Sequence, residues 1–78
     1  MDVHPTLSAR ERDVLQLASS GLTNREVADR LGVTVHAVKF HLAAVYRKLG
    51  VGNRTAAAVV YLREDAQASQ QPAQAEPS

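Results

Sequence analysis

The stretch NREVADRLGVTVHAVKFHL, residues 24–42, holds two helical patterns on either side of a short joint. Gly32 allows the positive φ that ends the first pattern, and Thr34 is a residue type that caps the start of a helix. About three residues, 32–34, therefore separate the two helices, and so short a joint forces them to cross sharply. We expect four apolar residues at helical spacing to lock the pair together on its inner side: Val27, Leu31, Val38 and Leu42.

The residues before this stretch carry the end signals of helices. Ser8 and Glu11 form the Ser-x-x-Glu pattern of a capping box, so a first helix begins there and ends near residue 20, before Gly21. Thr23 and Glu26 form a second capping box at the start of the helix of residues 24–31. Both boxes explain their glutamates without any catalytic role.

The helix after the joint has an unusual outer face. It runs from about Val35 to Leu49 and is ended by Gly50 and Gly52. Its apolar stripe is spaced to face a core, while the opposite side is short, partly aromatic and basic, with no acid. We place Phe40 and Ala44 at the centre of that outer face, His36, Ala43 and Arg47 beside them, and Lys39 and His41 on its flanks.

A fourth helix is predicted from Arg54 to about Glu64, with Asn53 as its cap. It is apolar on every side, and such a helix is buried on every side. The residues that we assign to the inside of the domain are Ala57, Ala58, Tyr61 and Leu62. The other side needs a partner, and we predict a dimer face of Ala56, Val59, Val60 and Arg63.

Length and composition limit the architecture. A chain of 78 residues allows one domain, and four helices without strand signals predict an all-α, four-helix bundle-like fold. We divide the chain into a flexible N-terminal extension (1–6), a helical domain (7–64) and a disordered tail (65–78) that has no large apolar residue. There is no cysteine, no membrane-length apolar run and no apolar signal core, which favours a cytoplasmic protein.

The net charge of +1 conceals a strong asymmetry along the chain. Residues 1–29 hold five acids and three arginines, whereas residues 30–63 hold six basic residues and no acid. A segment of one sign that includes a whole helix is typical of a surface that binds a polyanion. The alternative is a solvated face that is basic by chance. Two helices with a sharp joint form a helix-turn-helix pattern, whose second helix enters the DNA major groove.

The blocks L-S-A-R-E-R-D-V-L, G-L-T-N-R-E-V-A, V-K-F-H and R-K-L-G-V occur in this order and spacing. Together they make the segment from about Leu7 to Arg63 resemble the LuxR-type (GerE-like) helix-turn-helix DNA-binding domain of bacterial transcription regulators. The resemblance implies a four-helix domain that binds double-stranded DNA as a homodimer through its last helix and regulates transcription in a sequence-specific way, with helix 35–49 in the major groove.

The resemblance also implies roles for individual residues. Lys39 falls where the family has a lysine that contacts bases and phosphates, and Phe40 and Ala43 fall at positions that face base edges. Positions beside the DNA backbone are implied for Thr23, Asn24, Arg25, Thr34, His41, Arg47 and Lys48. His36, on the same outer side, completes the predicted DNA-binding surface. Polar residues are common in the family at positions that here hold Ala37, Ala43 and Ala44, so we expect few direct base hydrogen bonds and more shape readout.

Two questions stay open at the level of the sequence. A helix-turn-helix could instead dock on another regulator or on RNA polymerase without gripping DNA. LuxR-type domains are usually joined to a receiver or ligand-sensing domain, and only six residues precede this one, so the chain either acts alone or is a fragment. No cofactor is implied. His36 and His41 lack the third ligand of a metal site, and no nucleophile pairs with a base, so an enzyme has no support.

Overall fold

A computed structural model describes residues 6–75, with side chains through Glu64. It contains four helices: α1 (Ala9–Ser19), α2 (Asn24–Leu31), α3 (Val35–Leu49) and α4 (Arg54–Ala75). No strand occurs among these described residues. The all-α prediction is confirmed, and α2, α3 and the joint between them lie where the sequence places them. The predicted extension of residues 1–6 lies outside the described residues except for Thr6.

Side-chain caps fix where the helices begin. Ser8 Oγ accepts a hydrogen bond of 3.1 Å from the Glu11 amide, and the Ser8 amide donates to the Glu11 carboxylate at 2.9 Å. Thr23 and Glu26 repeat this reciprocal arrangement at the start of α2. The Asn53 side chain accepts from the amide of the third residue of α4 at 2.8 Å, as predicted. Each cap pairs amides that a helix N-terminus otherwise leaves without a partner.

The joint between α2 and α3 depends on a glycine. Gly32 has φ +70°, in the left-handed region where a side chain is disfavoured, and its amide donates to the Ala28 carbonyl. Val33 donates to the same carbonyl at 3.0 Å, and Thr34 Oγ1 caps α3 by accepting from the Ala37 amide at 3.0 Å. The turn between the two helices is therefore completed within residues 32–34.

The core consists of two adjacent clusters. The first lies among α1, α2 and α3, and its buried members are Val14, Ala18, Val27, Ala28, Val38 and Leu42. The second lies among α1, α3 and α4 around Leu15, Val45 and Ala57. Tyr46 packs against both clusters. The predicted inner residues of the helix pair are confirmed, because Val27 and Val38 are fully buried, Leu42 is 4% exposed, and Leu31 packs against their cluster.

The fourth helix differs from its prediction in two respects. Leu62 was assigned to the inside, but its side chain is 53% exposed. Ala57 and Tyr61 already fill the side of α4 that meets the second cluster, and Leu62 lies about 100° around the helix from Tyr61. The helical backbone also continues past the predicted end near Glu64, to Ala75. The Ala and Gln residues of this stretch are good helix formers, whereas Pro72 within it is unfavourable in a helix interior. The assignment of residues 65–78 to a separate disordered tail stays a prediction.

Candidate nucleic-acid interface

The outward face of α3 presents a mixed aromatic and basic surface. Phe40 is 69% exposed, which is the largest exposure among the big apolar side chains that the structure describes. Its ring meets His41 edge-to-face, with centroids 5.8 Å apart. Four further side chains of this face are exposed: His36, Lys39, Ala43 and Arg47. Because the inner side of α3 is held by both core clusters, these residues are fixed in an outward orientation.

One residue of this face was placed wrongly from the sequence. Ala44 was expected at its centre, but it is only 6% exposed. Ala44 lies one turn before Lys48 on the same flank of α3, and Lys48 contacts Glu11 of α1. This flank therefore faces α1, and a side chain as short as a methyl group is covered there. The lack of a polar side chain at position 44 consequently follows from packing against the domain itself.

The first turn of α2, the helix that precedes the joint, offers hydrogen-bond donors. Thr23 is the cap and is exposed, Asn24 is half-buried, and Arg25 is exposed. The capping box uses the amides of Thr23 and Glu26. The first-turn amides of Asn24 and Arg25 have no intrahelical acceptor, as at any helix N-terminus, where the partial positive charge also favours an anion. Thr34 is exposed at the equivalent place before α3.

Lys48 is engaged within the domain. Its ammonium group donates to Glu11 Oε1 at 2.8 Å, and the two side chains are 28% and 10% exposed. This hydrogen bond from Lys48, together with that from the Ser8 amide, holds the pKa of Glu11 below its ordinary value. Glu11 thus both caps α1 and ties it to the last turn of α3. The assignment of Lys48 to a DNA phosphate stays a prediction, and Arg47 is the freer of the two cations.

The Glu11–Lys48 pair should make stability depend on pH. We expect Glu11→Gln to lower the free energy of unfolding by about 1 kcal/mol at neutral pH, because the charge-assisted hydrogen bond is lost. A carboxylate with a depressed folded-state pKa stabilises above its unfolded pKa, and this stabilisation is lost as the pH falls through the folded value. The difference between parent and variant should therefore shrink in acid. Urea unfolding at pH 7 and pH 3 measures it.

Glu26→Gln is the matched control for this measurement. Glu26 occupies the same capping-box position in α2, but its carboxylate is exposed and no salt bridge joins it to another described side chain. Its replacement should cost less at neutral pH. Equal losses in both variants, or a Glu11→Gln loss that stays constant between pH 7 and pH 3, would contradict the role given to the Glu11–Lys48 pair.

Arg54 has a role that was not predicted from the sequence. It is the first residue of α4, yet its guanidinium reaches back to the connection between α1 and α2. It donates to Asn24 Oδ1 at 3.0 Å, to the Ala18 carbonyl at 3.4 Å and to the Leu22 carbonyl. One signal was available, because a cation in the first turn of a helix opposes the helix dipole and so needs a partner elsewhere.

The outer side of α4 carries apolar residues that remain accessible. Val59 is 47% exposed and Leu62 is 53% exposed, with Arg63 exposed beside them. Ala56 and Val60, from the predicted dimer face, are half-buried. Ala56, Val59, Val60 and Leu62 together form an apolar strip on one side of α4. The other side of this helix packs against α1 and α3.

The part of the chain that the structure describes contains neither a metal-binding cluster nor a membrane-spanning helix. There, no three His, Cys, Asp or Glu side chains come together in a way that could hold a metal ion. Within the same part, no helix combines the length and the apolar character needed to cross a membrane.

Comparison with known proteins identifies the family. The profile described as "Bacterial regulatory proteins, luxR family" matches residues 5–61. The chain belongs to this family. Members of the luxR family are DNA-binding regulators of transcription rather than enzymes, so the helices described above form a luxR-family helix-turn-helix DNA-binding domain.

Individual relatives agree with this assignment. This luxR-family chain is 42% identical over 57 residues to the probable transcriptional regulatory protein SgaR of Hyphomicrobium methylovorum, covering 73% of this chain and 27% of SgaR. It is 41% identical over 56 residues to the transcriptional regulatory protein LiaR of Bacillus subtilis (strain 168), covering 72% and 26% respectively. The chain thus spans about a quarter of the length of these curated relatives.

Solved structures show the same helical arrangement in response regulators. The response regulator ChrA of a heme-sensing two-component system matches with a TM-score of 0.73 and 42% identity, over 82% of this chain and 32% of that chain. A complex of the anti-activator RapF with the DNA-binding domain of the response regulator ComA matches with a TM-score of 0.68 and 36% identity, over 70% of this chain and 95% of that chain. The luxR-family domain described here is therefore response regulator-like.

Proposed function

We propose that this luxR-family domain is a sequence-specific transcription regulator that binds double-stranded DNA as a homodimer, with α3 of each protomer in the major groove. The observation that carries the proposal is the outward, acid-free face of α3, on which Lys39, Phe40 and Arg47 are exposed together. An acid there would repel phosphate, and the small Ala43 between them lets the helix approach base edges closely. As a DNA-binding regulator, the protein would act in the cytoplasm.

The residues divide into those that read bases and those that contact the backbone. Lys39 reaches a guanine edge or a phosphate, and Phe40 contacts a thymine methyl group. Backbone contacts come from the N-terminus of α2, from the cap of α3 and from basic or histidine side chains along α3: Thr23, Asn24, Arg25, Thr34, His36, His41, Arg47 and Lys48. With short residues at 37 and 43, much of the selectivity comes from DNA shape and deformability.

Dimerisation places the two copies of α3 on one face of the duplex. The proposed contact is the exposed apolar strip of α4, with Val59, Val60, Ala56 and Arg63 as its predicted members and Leu62 added by its exposure. Two recognition helices related by a twofold axis would enter successive major grooves roughly 34 Å apart. The preferred site is then an inverted repeat with half-sites separated by one helical turn.

Selection of bound duplexes from a random DNA pool tests the proposal. The expected product is an inverted repeat with the spacing given above, because protein symmetry is mirrored in the site. Selection of a single unrepeated half-site would remove the homodimer from the proposal, and failure to enrich any sequence would remove sequence-specific binding.

Lys39 provides a test of the reading face. We expect Lys39→Ala to cost about 1–3 kcal/mol of binding free energy on the selected site if Lys39 reads a base, and to relax selectivity at that position. Titration of parent and variant against the selected site and a one-base mismatch, followed by fluorescence anisotropy, measures both effects. Unchanged affinity for the selected site would show that Lys39 makes no contact of consequence.

A second candidate function is docking on another protein. It is favoured by the similarity to the complex in which the DNA-binding domain of ComA is bound by the anti-activator RapF, so a domain of this shape does take a protein partner in that case. A surface that only docks on another regulator or on RNA polymerase would give no gel shift with random DNA at low salt. A shift that weakens with salt favours the DNA-binding proposal.

A further inference from the structure

Arg54 and Asn24 form a contact that links two functional regions of the domain. Arg54 begins α4, the helix proposed to pair with a second copy, and Asn24 begins α2, whose N-terminus is proposed to contact phosphate. Arg54 Nη1 donates to Asn24 Oδ1 at 3.0 Å. A guanidinium has donors only, so it can meet the carboxamide only through its oxygen. The amide NH₂ of Asn24 is therefore turned away from Arg54 and kept as a donor for another partner.

The other hydrogen bonds of Arg54 hold its guanidinium group in place. Nη2 donates to the carbonyls of Ala18 and Leu22, at the end of α1 and in the connection to α2. The partial negative charge of the α1 C-terminus favours a cation there. Both terminal nitrogens are thus occupied by acceptors of the protein, and the side chain is half-buried. Arg54 is anchored inward, while the residue that it orients stands at a helix N-terminus.

From this geometry we infer that Arg54 is a positioning residue for DNA binding: it orients the Asn24 carboxamide so that its NH₂ donates to a DNA phosphate. The inference rests on the proposed function and adds to it a residue of α4 that does not itself touch DNA. The alternative is that Arg54 contacts a phosphate directly. The two can be separated, because Asn24 is neutral and Arg54 is charged.

The first variant to test is Asn24→Asp, which keeps the oxygen that accepts from Arg54 and removes the NH₂. Because an acid at the start of a helix beside a guanidinium is favourable, the variant should unfold at the same or a higher temperature than the parent. Its affinity for the selected duplex should nevertheless fall by at least about tenfold, since an anionic oxygen then faces phosphate. Parent-like affinity of Asn24→Asp would overturn the inference.

The second test combines Asn24→Ala, Arg54→Gln and the double variant. Each single variant should weaken binding to the selected duplex about threefold to tenfold, and the double variant should bind no more weakly than the weaker single variant. Duplexes in which one phosphate at a time is replaced by a neutral methylphosphonate locate the contact. The replacement that weakens binding of the parent at the phosphate nearest Asn24 should have no effect on any of the three variants.

Salt dependence and a charge-matched control complete the design. Arg54→Gln should leave the slope of log affinity against log salt unchanged. If Arg54 contacted a phosphate directly, the variant would reduce the magnitude of the slope by about 0.9 for each lost contact, and this would overturn the inference. Arg10→Gln removes the same charge from an exposed position two turns of α1 before Ala18, and it should leave the methylphosphonate pattern of the parent intact.

The outcomes distinguish this inference from the proposed function. If the parent binds no duplex, both fail. If the parent binds but Arg54→Gln, shown by circular dichroism to be folded, keeps sensitivity at the Asn24 phosphate, the inference alone fails. A uniform weakening at every phosphate with the parental pattern would mean that Arg54 only stabilises the fold, which also overturns it.

Discussion

Raising the salt concentration fourfold, from 50 to 200 mM, is expected to weaken binding to the selected duplex between about 10³- and 10⁵-fold. If each protomer neutralises about three to five phosphates, the dimer gives a slope of roughly −5 to −9 for log affinity against log salt. Three of the cations proposed to contact DNA are exposed in the structure: Arg25 in the first turn of α2, and Lys39 and Arg47 on α3. Fluorescence anisotropy at a series of salt concentrations measures the slope.

Two neighbouring cations give this measurement an internal control. Arg47 is exposed, whereas the ammonium group of Lys48 donates to Glu11. Arg47→Ala should therefore lower the magnitude of the slope by about 1 for each protomer, and Lys48→Ala should lower it by less. A slope near zero for the parent would contradict phosphate binding by this surface, and a larger effect of Lys48 than of Arg47 would contradict the assignment of their roles.

Replacement of Leu42 by Ala is expected to remove about 2–5 kcal/mol from the free energy of unfolding. Leu42 is 4% exposed and lies in the cluster that joins α1, α2 and α3. The substitution removes the transfer free energy of the buried side chain, and the cavity that it leaves removes the van der Waals contacts of the surrounding residues. A domain this small has a modest total stability, so much of the population should unfold at physiological temperature.

Phe40→Ala is the matched comparison for Leu42→Ala. Phe40 lies two residues earlier on the same helix but points outward, with 69% of its surface exposed. Its replacement should change the free energy of unfolding by no more than about 0.5 kcal/mol, while affinity for DNA decreases. Urea unfolding followed by circular dichroism, at one fixed protein concentration, compares the two. Similar destabilisation by both changes would contradict the assignment of inner and outer faces to α3.

The helices and their caps could be predicted from the sequence because their signals are local. Ser8, Thr23, Thr34 and Asn53 all accept hydrogen bonds from the first turns of the helices that they were predicted to cap. The positive φ at Gly32 could be predicted because glycine is the residue type that adopts it readily. Such interactions span three or four residues, so the pattern of residue types along the chain contains them.

The predictions of burial and exposure were wrong where contacts with residues distant in the sequence decide whether a side chain is covered. Ala44 is buried because its flank of α3 meets α1, and Leu62 is exposed because other residues fill the inner side of α4. Helical periodicity gives the direction of a side chain within its own helix but leaves open which neighbour covers it. The partners of Lys48 and Arg54 lie 37 and 30 or more residues away along the chain, and the local pattern does not identify them.

The same limit applies to the candidate site. Which face of α3 points outward was predictable, since the apolar stripe names the inner side. Which of its cations are free was not predictable, because Arg47 and Lys48 are adjacent in the sequence and Glu11, which pairs with Lys48, lies far away along the chain. The place of Asn24 beside the DNA backbone was inferred from family resemblance, but the orientation of its carboxamide depends on an arginine in another helix.

Tyr46 packs against both core clusters from the last turn of α3, and Val38, Leu42 and Val45 are buried along the same helix. The helix is consequently clamped along its length, and it cannot roll or shift its register without disrupting the interior of the whole domain. A recognition helix held this rigidly loses little conformational entropy on binding, so the DNA has to deform to fit the protein. Tolerance of imperfect sites is then governed by how easily a given base sequence bends, and hardly at all by readjustment of the protein.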